Sequence, residues 1–173
     1  VASAGDINGD GYADIIIGAP FAEDGASSAG ESYVVFGKNA SEDGNFSPVF
    51  NLSSLSTGNG SDGFAIRGID ANGQSGRSVA TAGDINGDGY ADIIIGAPLA
   101  GNAGESYVVF GKNTSFGASF NLSSLSTGNG SDGFAIRGID NFDFSGYSVA
   151  SAGDINGDGY ADIIIGAPFA EDG

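Results

Sequence analysis

Short apolar runs alternate with clusters of Gly, Asn, Asp and Ser along the whole chain. Four such runs make up one unit: 78–82, 90–96, 106–110 closed by Gly111, and 134–137 closed by Gly138. The second and third are nearly continuous in Ile, Val and aromatic residues, which predicts strands covered on both faces. Short strands in direct succession predict an antiparallel meander. A propeller blade satisfies both conditions, because each small sheet is sandwiched between its neighbours. No 3.6-residue period is present and glycines interrupt every run, which argues against a helical repeat. The predicted class is all-β, with four-stranded antiparallel blades of β-propeller type.

The unit is repeated. Asp6-Ile7-Asn8-Gly9-Asp10-Gly11-Tyr12-Ala13-Asp14, followed by Ile15-Ile16-Ile17-Gly18-Ala19-Pro20, recurs unchanged at 84–98 and 154–168. The spacings are 78 and 70 residues, and the difference falls in two loops, 21–29 and 39–49. Segments 50–70 and 120–140 are identical, and so are 1–25 and 149–173. The expected organisation is one repeat over 1–77, a second over 78–147, and the first half of a third over 148–173, about two and a half blades. Known propellers need about four to eight blades. An incomplete set therefore belongs to a longer array or associates with copies of itself, as a ring or a filament, with the duplicated end completing a half blade of another chain.

The recurring nine residues carry the candidate chemistry. Oxygen-bearing side chains stand at positions 1, 3, 5 and 9: Asp6, Asn8, Asp10 and Asp14. Carboxylates held that close repel one another unless a cation lies between them. An all-oxygen set suits Ca²⁺ better than Mg²⁺, which demands a stricter octahedron. Gly11 permits the sharp turn that offers the Tyr12 carbonyl as a further ligand. Matching sets are Asp84, Asn86, Asp88, Tyr90 and Asp92, and Asp154, Asn156, Asp158, Tyr160 and Asp162, for up to three Ca²⁺ per chain. The loop begins like an EF-hand, but position 12 is Ile17 rather than a bidentate Glu, and a strand follows instead of a helix. A metal-free hairpin turn would account for the Gly and Asn but not for three Asp.

Composition narrows the function further. The formal charge is −17, and nine of the 22 acidic residues are the loop aspartates. Such a chain repels nucleic acid and anionic membranes, and its five basic residues form no patch. Thirty-two glycines without a collagen period signal many turns, while 12 Phe and 6 Tyr argue against a disordered acidic tail. There is no Cys, hence no disulfide framework, and no run long enough to span a membrane. The absence of Met suggests an excised or processed piece. Calcium loops of low affinity fill at the millimolar calcium found outside cells, so an extracellular or surface location is expected.

Val-Ala-x-Ala-Gly-Asp-Ile-Asn-Gly-Asp-Gly-Tyr-Ala-Asp-Ile-Ile-Ile-Gly-Ala-Pro, with Gly-Glu-Ser-Tyr-Val-Val-Phe-Gly-Lys after it, closely resembles FG-GAP repeats. These repeats build the propeller of integrin alpha subunits and occur in many bacterial secreted or surface proteins. The resemblance covers essentially the whole chain. It implies a seven-bladed propeller with Ca²⁺ in the loop between the first two strands of a blade, on the residues already named. One departure is that the Phe-Gly preceding Ser-Val in the family is here Ser75-Gly76 and Ser145-Gly146, so the aromatic expected at that blade contact is missing.

Other features have blander readings. Seven Asn-x-Ser/Thr sequons (Asn39, Asn45, Asn51, Asn59, Asn113, Asn121 and Asn129) are read as loop composition rather than glycan sites. Arg67, Arg137, Glu31 and Glu105 are expected to be solvated side chains on outer or edge strands. Tyr12, Tyr90 and Tyr160 are expected to cover the metal loops rather than line a sugar site. With no His and no Cys, and with no base beside the serines, catalysis finds no support. The expectation is a non-enzymatic, calcium-binding structural or adhesion module. The alternatives are a module that binds a protein or glycan ligand, integrin-like or lectin-like, and an accessory domain of a secreted enzyme.

Overall fold

The computed structural model describes residues 1–23 and 27–171. Part of the 21–29 insertion and the last residues of both duplicated 25-residue stretches lie outside them. The chain forms three successive sheets. The first contains β1 (Ala2–Gly5), β2 (Asp14–Ala19), β3 (Glu31–Val35) and β4 (Gly63–Arg67). The second contains β5 (Ser78–Gly83), β6 (Asp92–Ala97), β7 (Glu105–Val109) and, after a short strand β8 (Ser119–Asn121), β9 (Gly133–Arg137). The third is the pair β10 (Ser148–Gly153) and β11 (Asp162–Gly166). Consecutive strands within each sheet pair antiparallel, as a meander requires. These are the all-β, propeller-type blades that the apolar runs predict.

The Ile-Ile-Ile run of each second strand shows why the sheets stack. In β6, Ile93, Ile94 and Ile95 are all fully buried. In β2 only Ile16 is, and Ile15 stays 44% exposed; in β11 it is Ile164 that is 61% exposed. Alternate side chains of a strand point to opposite faces. Ile93 and Ile95 therefore meet Ile16, Val34, Phe64 and Ile66 of the first sheet, while Ile94 and Val108 meet Ile163 and Ile165 of the third. Among the described residues, only the middle sheet is covered on both sides.

The sheets approach to backbone contact, most closely at β2 and β6. A Cβ on Gly18 would lie 2.0 Å from the carbonyl oxygen of Gly76, and one on Gly96 equally 2.0 Å from that of Gly146. Gly76 and Gly146 have φ of +82° and +84°, a region open to glycine. The residues in the family's Phe position, Ser75 and Ser145, are buried. The missing aromatic is thus replaced by close main-chain packing.

The long connection between third and fourth strands contains structure that the apolar pattern does not announce. One-turn helices α1 (Ser53–Thr57) and α2 (Ser123–Thr127) each bury a single leucine, Leu55 and Leu125. The strand β8 leaves its own sheet and lies parallel to β4, pairing Ala65 with Ser119, Ile66 with Phe120 and Arg67 with Asn121. It straps the second repeat onto the first. Five of the seven sequon asparagines make Asx turns. The Oδ1 atoms of Asn39, Asn51, Asn59, Asn121 and Asn129 accept the backbone N–H two residues on, at 3.0–3.3 Å.

Two side-chain expectations are corrected. Glu31 and Glu105 are buried, not solvated, at 6% and 9% exposure. They begin strands that pair on both edges, so their carboxylates turn inward to local donors. The Tyr33 hydroxyl donates to Glu31, and the Tyr107 hydroxyl donates to Glu105 at 2.5 Å, while Arg137 Nε lies 3.2 Å from Glu105. The Arg137 side chain is itself 68% exposed.

The glycine contact yields a paired expectation. Gly96→Ala should cost about 3 kcal/mol, at the upper end for overpacking, because its clash is with backbone. Gly166 occupies the same position in the third sheet, where an added Cβ meets nothing closer than 3.5 Å. Gly166→Ala should stay within about 0.5 kcal/mol of the parent. Denaturant melts of both variants check the difference.

Candidate metal centre

Each loop between first and second strands is built by its own acidic side chains. A bulge opens the turn, with Gly5, Gly83 and Gly153 at positive φ after the register shifts. Asp6 accepts the N–H of Asp10 at 3.0 Å and of Gly11 at 2.9 Å. Asn8 Oδ1 accepts the same Asp10 N–H at 3.0 Å, and its Nδ2 donates to Asp10 Oδ2 at 2.8 Å. Asp10 Oδ1 accepts the Tyr12 N–H at 2.9 Å. The second loop repeats the set with Asp84, Asn86, Asp88 and Tyr90. The third repeats it with Asp154, Asn156, Asp158 and Tyr160. Side chains at positions 1, 3 and 5 thus curl around one turn, as their spacing predicts.

The ninth residue has a second task. Asp14 Oδ2 accepts the Ile7 N–H at 2.9 Å, and Oδ1 accepts the Gly37 N–H at 2.8 Å. Asp92 does the same with Ile85 and Gly111, at 2.9 and 2.8 Å. The carboxylate ties the loop to the chain leaving the third strand. Asp162 accepts the Ile155 N–H at 2.8 Å, and among the described residues nothing stands where Gly37 and Gly111 stand. Burial pushes the Asp14 and Asp92 carboxyls up to about 6. The two backbone N–H groups oppose that shift, and the charges of positions 1 and 5 add to it. Sequence spacing predicts a ligand role for this residue but not the clamp, because Gly37 lies 23 positions away and only pairing of β2 with β3 brings it near.

The Tyr90 and Tyr160 rings cover acidic loops, but not their own. A Cβ on Gly9 would lie 2.3 Å from the Tyr90 ring, and one on Gly87 2.3 Å from the Tyr160 ring. Ala91 N–H bonds the Asp6 carbonyl, and Ala161 N–H the Asp84 carbonyl. Each loop is therefore buttressed by the next. Gly157 has nothing within 4 Å of such a Cβ, and Tyr12 is 38% exposed.

The donor set is entirely oxygen, and each carboxylate oxygen has a second lone pair beyond its backbone bond. That chemistry fits a hard divalent cation. Among the described residues, however, no three acidic side chains already converge as a metal group, since Asp14 and Asp92 are turned onto backbone amides.

Stacked antiparallel sheets, two built on four-strand meanders and the third a pair, each with an acidic loop joining its first two strands, define a repeat protein of β-propeller type. The FG-GAP repeat matches residues 1–35, 75–109 and 145–173, more than half of the chain, which belongs to the FG-GAP repeat family. The chain is 35% identical over 166 residues to integrin alpha pat-2 of Caenorhabditis elegans, covering 94% of the chain and 12% of that protein. It is 32% identical over 167 residues to integrin alpha-4 of Xenopus laevis, covering 95% and 14%. It is 30% identical over 177 residues to phosphatidylinositol-glycan-specific phospholipase D of Bos taurus, covering 99% and 18%. The chain spans less than a fifth of the length of these curated relatives.

The clamp can be separated from any metal. In excess chelator, Asp92→Ala leaves the buried Gly111 N–H and the half-buried Ile85 N–H without acceptors and should cost about 1–3 kcal/mol for the first and less for the second. Asp162→Ala orphans one exposed N–H and should cost markedly less. Equal losses in urea melts would contradict the clamp.

Proposed function

We propose that the three loops bind calcium and that the chain is a non-enzymatic structural or adhesion module working outside the cell. The observation that carries this reading is Asp14, with Asp92 repeating it. A carboxylate is buried beside two further carboxylates, is raised to about 6 by that burial, and has no cationic side chain among its causes. A divalent ion is the simplest partner for such a group. Asp6, Asn8, Asp10, the Tyr12 carbonyl and Asp14 would hold the first ion, with the corresponding residues of 84–92 and 154–162 holding the second and third. The ion supplies positive charge to an acidic turn. The chain's own groups do the rest, fixing the turn through Asp6 and Asp10 and joining it to the third strand through Asp14. Calcium thereby couples folding to its external concentration. The location outside cells rests on the family resemblance and on the modest affinity expected of such loops. No helix among the described residues is long and apolar enough to cross a membrane.

A second reading, an accessory module beside a catalytic domain, is favoured by the similarity to the phospholipase D, of which the matched part is only 18%. In either setting the repeats themselves serve stability or recognition of a protein or glycan ligand. Glycan-array binding that follows the loop sequences would favour recognition.

Calcium at a hundred times its dissociation constant should add about 2.7 kcal/mol for each filled site. The melting temperature should therefore fall on adding EDTA and recover with excess calcium. A melting curve unchanged by EDTA would overturn the reading.

A further inference from the structure

We propose that the calcium sites are coupled: filling the loop of one repeat raises the affinity of the loop before it, through a relay of two peptide groups. The inference rests on the calcium reading above and adds to it how the sites act on one another.

The relay starts at the seventh position of a loop. The Tyr90 carbonyl is the main-chain ligand proposed for the second ion. It shares a planar peptide unit with the Ala91 N–H, so the two groups cannot turn independently. Ala91 N–H donates to the Asp6 carbonyl at 3.1 Å. Asp6 carries the first carboxylate of the first loop, and its carbonyl shares the next planar unit with the Ile7 N–H. That N–H donates at 2.9 Å to Oδ2 of Asp14, the ninth-position ligand of the same loop. Two rigid units therefore join a ligand of one ion to a ligand of the ion before it.

The arrangement recurs between the second and third loops. Ala161 N–H donates to the Asp84 carbonyl at 3.2 Å, and Ile85 N–H to Asp92 Oδ2 at 2.9 Å. Tyr160 is thus joined to Asp92 as Tyr90 is to Asp14. A second path leads back from the ninth position. Asp92 Oδ1 accepts the Gly111 N–H at 2.8 Å, and the adjoining Lys112 N–H donates to the Ile7 carbonyl at 2.9 Å. The tyrosine ring engages a further residue, with Gly9 under Tyr90 and Gly87 under Tyr160. The second repeat therefore holds the first, second and fourth residues of the first loop.

A carbonyl drawn to a cation has its peptide plane fixed, and polarisation makes the N–H of that plane a stronger donor. Asp6, Ile7 and Asp14 are then ordered in advance, so the first loop loses less conformational freedom when it binds. Linkage makes the effect mutual. Charge alone would act in the opposite sense, because two bound cations repel each other.

The test is a calcium titration of the whole isotope-labelled chain followed by NMR. One amide reports each loop, since the N–H groups of Gly11, Gly89 and Gly159 donate to the first carboxylate of their own loops. In the parent, the Gly89 signal should move along a curve steeper than a one-site isotherm. Asp158→Asn, at an exposed position, keeps an oxygen for the Tyr160 N–H and removes charge from the third loop only. The calcium midpoint at Gly89 should nonetheless rise about fivefold or more. Asp10→Asn, exposed in the first loop, should raise it too, as reciprocity demands. Both shifts, each measured against the parent, should persist in ~1 M potassium chloride, where charges are screened beyond about 3 Å. A one-site curve at Gly89, midpoints unmoved in both variants, or shifts that vanish in the salt would overturn the coupling. Three amides that ignore calcium altogether would overturn the calcium reading itself, and this inference with it.

Discussion

Each sheet here is too thin to hide its own apolar side chains. A strand such as β6, with three isoleucines in a row, has hydrophobic groups on both faces and is stable only with another layer on either side. Stacking is therefore the condition under which these sheets exist, and the rest of the structure serves it. Glycine at the crossing points lets main chains touch, the strap of β8 runs from one repeat to the previous one, and the loops at one end interlock through Tyr90 and Tyr160. Stability in such an array is a sum of nearest-neighbour terms. The outer sheets are correspondingly worse off than the middle one, as Ile15 and Ile164 record.

The acidic loops sit where this stacking is most demanding. Their side chains replace a hydrogen-bonded ladder with carboxylate-to-amide bonds, which hold a turn too tight for strand pairing. The arrangement concentrates negative charge in a region that burial also strips of water, the opposite of what an unassisted carboxylate prefers. A single residue type thus does two things: Asp at the ninth position closes the turn onto the third strand and supplies charge to its interior.

Much of this was legible from the residues alone. The Ile-Ile-Ile and Tyr-Val-Val-Phe runs announce strands covered on both faces, and the 78- and 70-residue spacings announce the repeat. Loop residues 6, 8 and 10 curl as their alternate spacing requires. What stayed hidden depends on contacts distant in sequence. The Asp14 clamp needs Gly37, the ring of Tyr90 needs Gly9, and the Glu105 carboxylate meets Arg137 of the adjoining strand β9. The helices α1 and α2 escape a search for periodicity because one turn has none, and β8 is three residues long and pairs outside its own sheet.

The Asx turns bear on how the seven sequons are understood. An asparagine whose side-chain oxygen captures the amide of the serine two places ahead is selected for bending the main chain, whatever enzymes the host possesses. Since the whole unit is copied, every copy carries the same bends. The abundance of these tripeptides thus counts corners in the polypeptide: the Oδ1 atom makes the bend, whatever the Nδ2 atom of the same side chain carries.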